Sequence, residues 1–321
     1  MNKLNTNAET SSILKHKEER KQRKEQNIRY HELLSQVLDI PLSSKQRVYI
    51  KDCGTFLEFL GDQDLEHIKL GSGNFCKNRF CPHCSYNLAR KNALELQVLM
   101  QYLKSLDYDF IFLTLTAPNI AGYELEQELR EYSRAFDRLF KRKEVSSVVK
   151  GYARKLEVTY NRDRNDFHPH YHVLLAINKS YFDSRNYIPR ARWLKLWQEC
   201  KQDPTITQVD VRKYKGKDVF EITKYIAKDS DYLYNEYVFK TFYLSLKGKR
   251  LLSYGGVFKD AALKYDRGEL DYLLDTDTIE YIYKFYMRWL GVDYDISETK
   301  ELTEDEYIKF NKSLIKEIEV D

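Results

Sequence analysis

Apolar positions change period several times along the chain, and each change marks an element. Phe110–Thr116 is dense in β-branched and aromatic residues and is stopped by Pro118, which predicts a strand. Glu124–Lys143 carries helical spacing. Val148–Tyr160 and His168–Ile177 read as two strands, and the polar stretch Asn161–Asp166 between them predicts a hairpin turn. Pro189–Cys200 predicts a helix, Thr205–Val211 a strand, Asp218–Asp229 a helix and Arg250–Val257 a last strand. Upstream, Arg47–Ile50 and Thr55–Leu60 read as short strands. Asn87–Leu103, with Leu88, Leu94, Leu96, Leu99 and Leu103, reads as a helix. The mixture predicts an α+β fold with a central, largely antiparallel sheet of about five strands flanked by helices.

The two ends read differently. Residues 1–45 are polar, with a charge run from Lys15 to Lys24; the pattern leaves open a helix or a flexible arm, and a disordered arm is expected because nothing in it reads as burying a core. From about Ile279 the tail alternates aromatics and acids. Tyr281, Phe285, Met287 and Trp289 are expected on a helical segment that docks on the main domain or pairs with a second copy. The expected division is therefore an arm (1–45), a cysteine-rich module (46–103), a catalytic domain (104–262) and an acidic helical region (263–321).

Charge sharpens this picture. The 321 residues carry a net charge of only +4. Lys141–Ser230, however, holds 20 Lys and Arg against 11 Asp and Glu, whereas Asp260–Asp321 holds 8 against 17. A basic middle suits a polyanion, since each phosphate neutralised releases counterions. Apolar runs are only about five residues long, as in Val173–Ile177, and the polar N-terminus lacks a signal-peptide core, so a cytoplasmic protein without a membrane partner is expected.

The stretch Phe167-His168-Pro169-His170-Tyr171-His172-Val173 is the most informative. Residues two apart on a strand share a face, so His168, His170 and His172 form one row while Tyr171, Val173 and Leu175 face the other way. Glu157, on the partner strand, could add a carboxylate. Two imidazoles and a carboxylate with open positions suit Mg²⁺ or Mn²⁺. Downstream, Glu221 and Tyr225 are one helical turn apart, with Lys224 and Lys228 beside the phenol. Among 26 tyrosines this one stands out only in company with the histidine row.

These segments together resemble the HUH endonucleases, in particular the rolling-circle replication initiators of small Gram-positive plasmids with one catalytic tyrosine. Phe112-Leu113-Thr114-Leu115-Thr116, His168-Pro169-His170-Tyr171-His172 and Glu221-Ile222-Thr223-Lys224-Tyr225-Ile226-Ala227-Lys228 are similar to the three family motifs, in order. The run Cys76–Cys84 and Leu246–Leu251 add to the likeness, which spans roughly Cys53 to Lys259. The resemblance implies that His170 and His172 bind a divalent metal, with Glu157 or His168 as third ligand. It implies that Tyr225 attacks the scissile phosphate, keeping a 5′-phosphotyrosine and freeing a 3′-OH. Glu221 would activate water at termination, and Lys224 or Lys228 would stabilise phosphate charge. The implied enzyme is a metal-dependent, site-specific single-strand DNA endonuclease and strand transferase acting on single- and double-stranded plasmid origin DNA.

Three of the five cysteines crowd between Cys76 and Cys84. Cys81-x₂-Cys84 is a zinc knuckle, Cys76 precedes it, and Cys53 beside Gly54 is the best fourth ligand, with His83 or His67 as substitutes. The expected structural cofactor is Zn²⁺. Lys77, Arg79, Arg90 and Lys91 suit phosphate contacts, and Cys200 is expected in the core. No G-x-x-x-x-G-K-[ST] loop is present, so a host helicase is an expected partner, with the polymerase that extends the 3′-OH and a homo-oligomer as further partners. A relaxase or transposase with the same chemistry, a non-catalytic DNA-binding regulator and a small-phosphoester hydrolase are the competing readings.

Overall fold

The computed structural model describes residues 10–37, 40–216, 218–223, 231–311 and 313–318. These residues form two compact units. One comprises 1–88 with 274–316, and the other 89–273 with 317–321. The strands, in chain order, are β1 (Phe56–Gly61), β2 (Ile68–Gly73), β3 (Tyr108–Thr116), β4 (Val149–Asn161), β5 (Asp166–Asn178), β6 (Val209–Lys213), β7 (Leu252–Gly256), β8 (Tyr283–Trp289), β9 (Tyr294–Ile296) and β10 (Lys300–Glu301).

In the second unit an antiparallel sheet runs in the order β6-β3-β5-β4-β7. Its centre is the β4–β5 hairpin. The hairpin turn is set by Asn161, whose Oδ1 accepts from the Arg164 N–H, and by Asn165 in the left-handed conformation at φ 54°. Each sheet face has its own cover. The helix Leu125–Lys141 buries Leu125, Leu129, Tyr132, Ala135, Phe136 and Leu139, a stripe at helical spacing. Phe136 meets Tyr152 and Tyr171, while Tyr132 meets Tyr171 and Trp197 of the helix Arg190–Lys201. Arg154 lies between the Phe136 and Tyr171 rings, 4.3 and 4.6 Å from their centroids. Tyr152, Arg154, Tyr171 and Val173 therefore face these helices. The alternate residues, Lys155, Glu157, His168, His170 and His172, face the other way. Near the far end of that second face, Phe110 packs on Phe258 of the helix Val257–Asp266. Cys200 is fully buried, as expected.

The first unit holds another antiparallel sheet, β10-β8-β1-β2, with β9 paired to β8. Leu57, Phe59, Phe285, Met287 and Tyr294 form its core together with Ile13.

Three expectations need correction. Ser11–Gln36, read as an arm, is a 26-residue helix, N-capped by Thr10, that buries Ile13, Arg20, Lys24, Asn27, Tyr30, Leu33 and Leu34. Arg47–Ile50, read as a strand, lies in the helix Ser44–Lys51, which Ser43 starts with a capping box to Gln46. The tail is not mainly helical: Phe285, Met287 and Trp289 lie on β8, Tyr281 just precedes that strand, and among the described residues one short helix, Glu304–Phe310, follows. The divisions shift accordingly. Residues 274–316 join the cysteine unit, and the boundary between units falls at Leu88/Ala89, inside the helix Pro82–Ser105, rather than after residue 103. Among the described residues no helix is long and apolar enough to cross a membrane.

Candidate metal centre and its neighbourhood

The antiparallel register builds the centre. His170 stands opposite Glu157 on β4 and opposite Thr116 on β3, and His172 stands opposite Lys155 and Thr114. Directly opposed residues have Cβ atoms only about 5 Å apart, so three side chains from two strands can share one ion. The Nε2 atoms of His170 and His172 are 3.1 Å apart, and Glu157 Oε2 lies 3.4 and 3.1 Å from them. The two rings are perpendicular, with an interplanar angle of 88°. The strand twist has turned both Nε2 atoms toward one point, as a shared cation requires.

The outer ring nitrogens are held as well. His172 Nδ1 is 3.3 Å from Thr114 Oγ1, and His170 Nδ1 is 3.3 Å from the His168 carbonyl. The His168 carbonyl can only accept, so His170 Nδ1 donates to it, and the Thr114 hydroxyl can accept from His172 Nδ1 in the tautomer whose Nε2 would ligate. From behind the sheet, the Tyr132 hydroxyl donates to the Pro169 carbonyl at 2.7 Å, pinning the backbone between His168 and His170. Burial pushes the Glu157 carboxyl up, but the hydrogen bonds and charge of the two imidazoles outweigh it and hold the group far below the usual carboxylate range.

His168 is not part of this convergence. Its ring stacks on His170, with centroids 5.2 Å apart, and burial lowers its basicity. Among the described residues the ligand atoms that gather are those of Glu157, His170 and His172. Of the tyrosine motif, Lys224, Tyr225 and Lys228 lie outside the described residues, as does the Glu221 side chain. The described part, the helix Asp218–Thr223, buries Val219, Ile222 and Thr223 and packs on β4 and β5, the strands that carry the cluster.

Two nearby residues were not singled out by sequence. Thr114 lay inside a recognised motif but had no assigned role, and the alternation of Thr114 and Thr116 with leucines was its signal. Lys155 is buried on the histidine face, in register with His172. Its alternation with Glu157 was visible, but burial of a lysine is not.

In the first unit Cys53, Cys76, Cys81 and Cys84 converge. Sulfur separations are 3.4 Å (Cys53–Cys81), 3.7 Å (Cys53–Cys84) and 3.6 Å (Cys76–Cys84). A disulfide would need about 2 Å. Tetrahedral zinc with Zn–S near 2.3 Å needs sulfurs roughly 3.8 Å apart, so the set fits that ion. Buried Lys24 donates to the Lys51 and Cys53 carbonyls at 2.8 and 2.9 Å, and Asn27 Nδ2 donates to Cys81 Sγ at 3.4 Å. A positive charge so placed complements a thiolate cluster. His67 is exposed and pairs with Asp62. His83 is buried against Gly54, with neither ring nitrogen hydrogen-bonded. Gly54 sits at φ 73°, and a Cβ there would collide with the imidazole.

Fold and centre together define an α+β protein with a two-histidine, one-carboxylate cluster on an antiparallel hairpin. Residues 67–293 match the family model described as Replication protein (Rep_1), and the chain belongs to that family. Similar proteins include "Protein rep" of Staphylococcus aureus, 50% identical over 200 residues covering 61% of this chain and 87% of that protein. "Protein rep" of Lentilactobacillus hilgardii is 36% identical over 277 residues, covering 80% and 86%. "Protein rep" of Bacillus amyloliquefaciens is 31% identical over 270 residues, covering 75% and 79%. No solved structure matches the chain.

Proposed function

We propose that this replication protein initiates rolling-circle replication of a plasmid by nicking one strand of its origin. The observation that carries the reading is the convergence of Glu157, His170 and His172, with nitrogen and oxygen atoms 3.1 to 3.4 Å apart on the face of β4 and β5. Three ligands of this kind leave positions open for phosphate oxygens. They would hold Mg²⁺ or Mn²⁺, which when bound polarises the scissile phosphate as a Lewis acid.

The chain's own groups supply the rest. Tyr225 attacks phosphorus. The Oη–P bond forms as the P–O3′ bond breaks, leaving the 5′ phosphate on the phenol and a 3′-OH on the DNA. Glu221 accepts a proton, from the phenol in nicking or from water in the closing hydrolysis. Lys224 and Lys228 offset charge on the phosphate. The seating of the helix Asp218–Thr223 on β4 and β5 supports this assignment, because the motif enters residue 224 from an element packed on the ligand-bearing strands. Membership of a replication family favours an initiator over a relaxase or transposase. The Cys₄ set would hold Zn²⁺ as a structural ion.

The test is a labelled single-stranded origin oligonucleotide with Mn²⁺, resolved on a denaturing gel. Wild type is expected to leave a covalent protein–DNA adduct. Tyr225→Phe should abolish the adduct, and His170→Ala or His172→Ala should reduce it to background. An adduct that persists in Tyr225→Phe removes the assigned nucleophile.

A further inference from the structure

Beside the cysteine cluster, the helix Ser44–Lys51 and the segment Cys76–Asn78 enclose a cleft of about 210 Å³ lined by Gln46, Tyr49, Ile50, Cys76, Lys77 and Asn78. Its hydrogen-bonding character is fixed by bonds made elsewhere. Gln46 Oε1 accepts the Ser43 N–H at 2.9 Å, and Asn78 Oδ1 accepts the Phe80 N–H at 2.9 Å. A backbone N–H can only donate, so each carbonyl oxygen is turned to that bond, with Gln46 Oε1 also accepting from Ser43 Oγ at 3.1 Å, and each amide nitrogen is left as a donor. Lys77 adds an ammonium and Tyr49 a half-exposed ring, with Lys45 Nζ 5.7 Å from its centroid. The segments Ser44–Lys51 and Cys76–Arg79 carry five basic residues (Lys45, Arg47, Lys51, Lys77 and Arg79) and no acidic one.

A cleft that offers donors, positive charge and an aromatic face selects a ligand that accepts, carries negative charge and is flat. A nucleotide meets all three conditions. Its phosphate oxygens only accept, guanine presents the acceptors N7 and O6 along one edge, and any base can stack on a phenol ring. We propose that this cleft is a second DNA-contact site, on the cysteine unit, which seats one nucleotide through Gln46, Asn78, Lys77 and Tyr49. The inference rests on the reading of the protein as one that acts on DNA.

The experiment is fluorescence anisotropy of the full-length protein on mixed-sequence oligonucleotides, single-stranded and duplex, without added Mg²⁺ or Mn²⁺. Binding is then measured whether or not the strand is ever cut, so failure of the nicking assignment would not mimic failure here. Gln46→Glu and Asn78→Asp keep the acceptors that Ser43 and Phe80 need and replace the donors facing the cleft with carboxylate. The double variant is expected to weaken binding about tenfold or more, and Tyr49→Ala about threefold or more. A matched two-charge control, Gln101→Glu with Gln127→Glu, at exposed positions that do not line the cleft, should leave binding within about twofold, since exposed charges are screened at physiological salt. A larger loss on guanine-rich than on guanine-free oligonucleotides assigns the base edge, and equal losses assign the phosphate. If the double variant and Tyr49→Ala both bind like the Gln101→Glu, Gln127→Glu control, with wild-type zinc content and melting temperature, the cleft is not a DNA site.

Discussion

Thr114 sets how well His172 can ligate. Its hydroxyl lies 3.3 Å from Nδ1, and an Nδ1–H held there leaves the Nε2 lone pair aimed at Glu157 and His170. Removing such an outer partner typically costs 10- to 100-fold in metal affinity. Thr114→Val is therefore expected to raise the Mn²⁺ concentration for half-maximal nicking by about that factor, and Thr114→Ser to restore it. A Val variant with an unchanged Mn²⁺ titration would show that the hydroxyl only packs. Glu157 makes a different prediction. A carboxyl with a depressed pKa contributes stability that is full above its unfolded value, declines as pH falls below that value and is gone only once pH has passed its folded one. Glu157 is depressed because the imidazoles outweigh its burial. The melting-temperature gap between wild type and Glu157→Gln in metal-free protein should thus persist as pH drops through about 4.5, the ordinary glutamate value. A gap that closes near that value would mean the carboxylate is not so held.

At the scale of elements, the histidine hairpin was fully legible. Alternation on one strand and a glutamate on the next fix a register, and the register does the rest. Two of the three misread elements failed for opposite reasons. The helix Ser11–Gln36 hides its buried stripe because that stripe is polar: Arg20, Lys24 and Asn27 follow Ile13 at helical spacing, and a hydrophobicity pattern cannot see a buried lysine. Its burial makes sense only beside a thiolate cluster that the sequence does not place in space. In the tail, by contrast, the signal was present. Tyr281, Phe285, Met287 and Trp289 recur at even intervals, the period of a strand, and Phe285 and Met287 are the fully buried members. Pairing of β8 to β1 across more than two hundred residues is what no local pattern reveals. The helix makes a testable claim. Lys24→Met would strip the Lys51 and Cys53 carbonyls of a buried donor and remove a buried ammonium beside the cluster. A loss of about 3 kcal/mol is expected in chemical unfolding, and an unchanged midpoint would show that water replaces the ammonium.

At the scale of the molecule, the division into two units predicts separable effects for the two proposed metals. The first unit holds a sheet core of Ile13, Leu57, Phe59, Phe285, Met287 and Tyr294, a second buried set that includes Tyr30, Leu33, Leu34, Ile40 and Ile50, and four sulfurs of which three pairs lie within 4 Å. Without an ion, thiols so crowded lose the bonds that would gather them, and the segments that carry them lose that anchor. The second unit has a continuous five-stranded sheet covered by Leu125–Lys141 and Arg190–Lys201, and its centre needs no metal to keep its strands paired. Zinc chelation should therefore raise hydrogen exchange in 44–88 and 283–301 by orders of magnitude, while β3, β4 and β5 exchange as before. Depleting Mg²⁺ and Mn²⁺ alone should leave both units protected and abolish nicking. If chelation deprotects β4 and β5 as strongly as β1 and β8, the two units fold as one, and the cysteine cluster supports the whole chain rather than its own sheet.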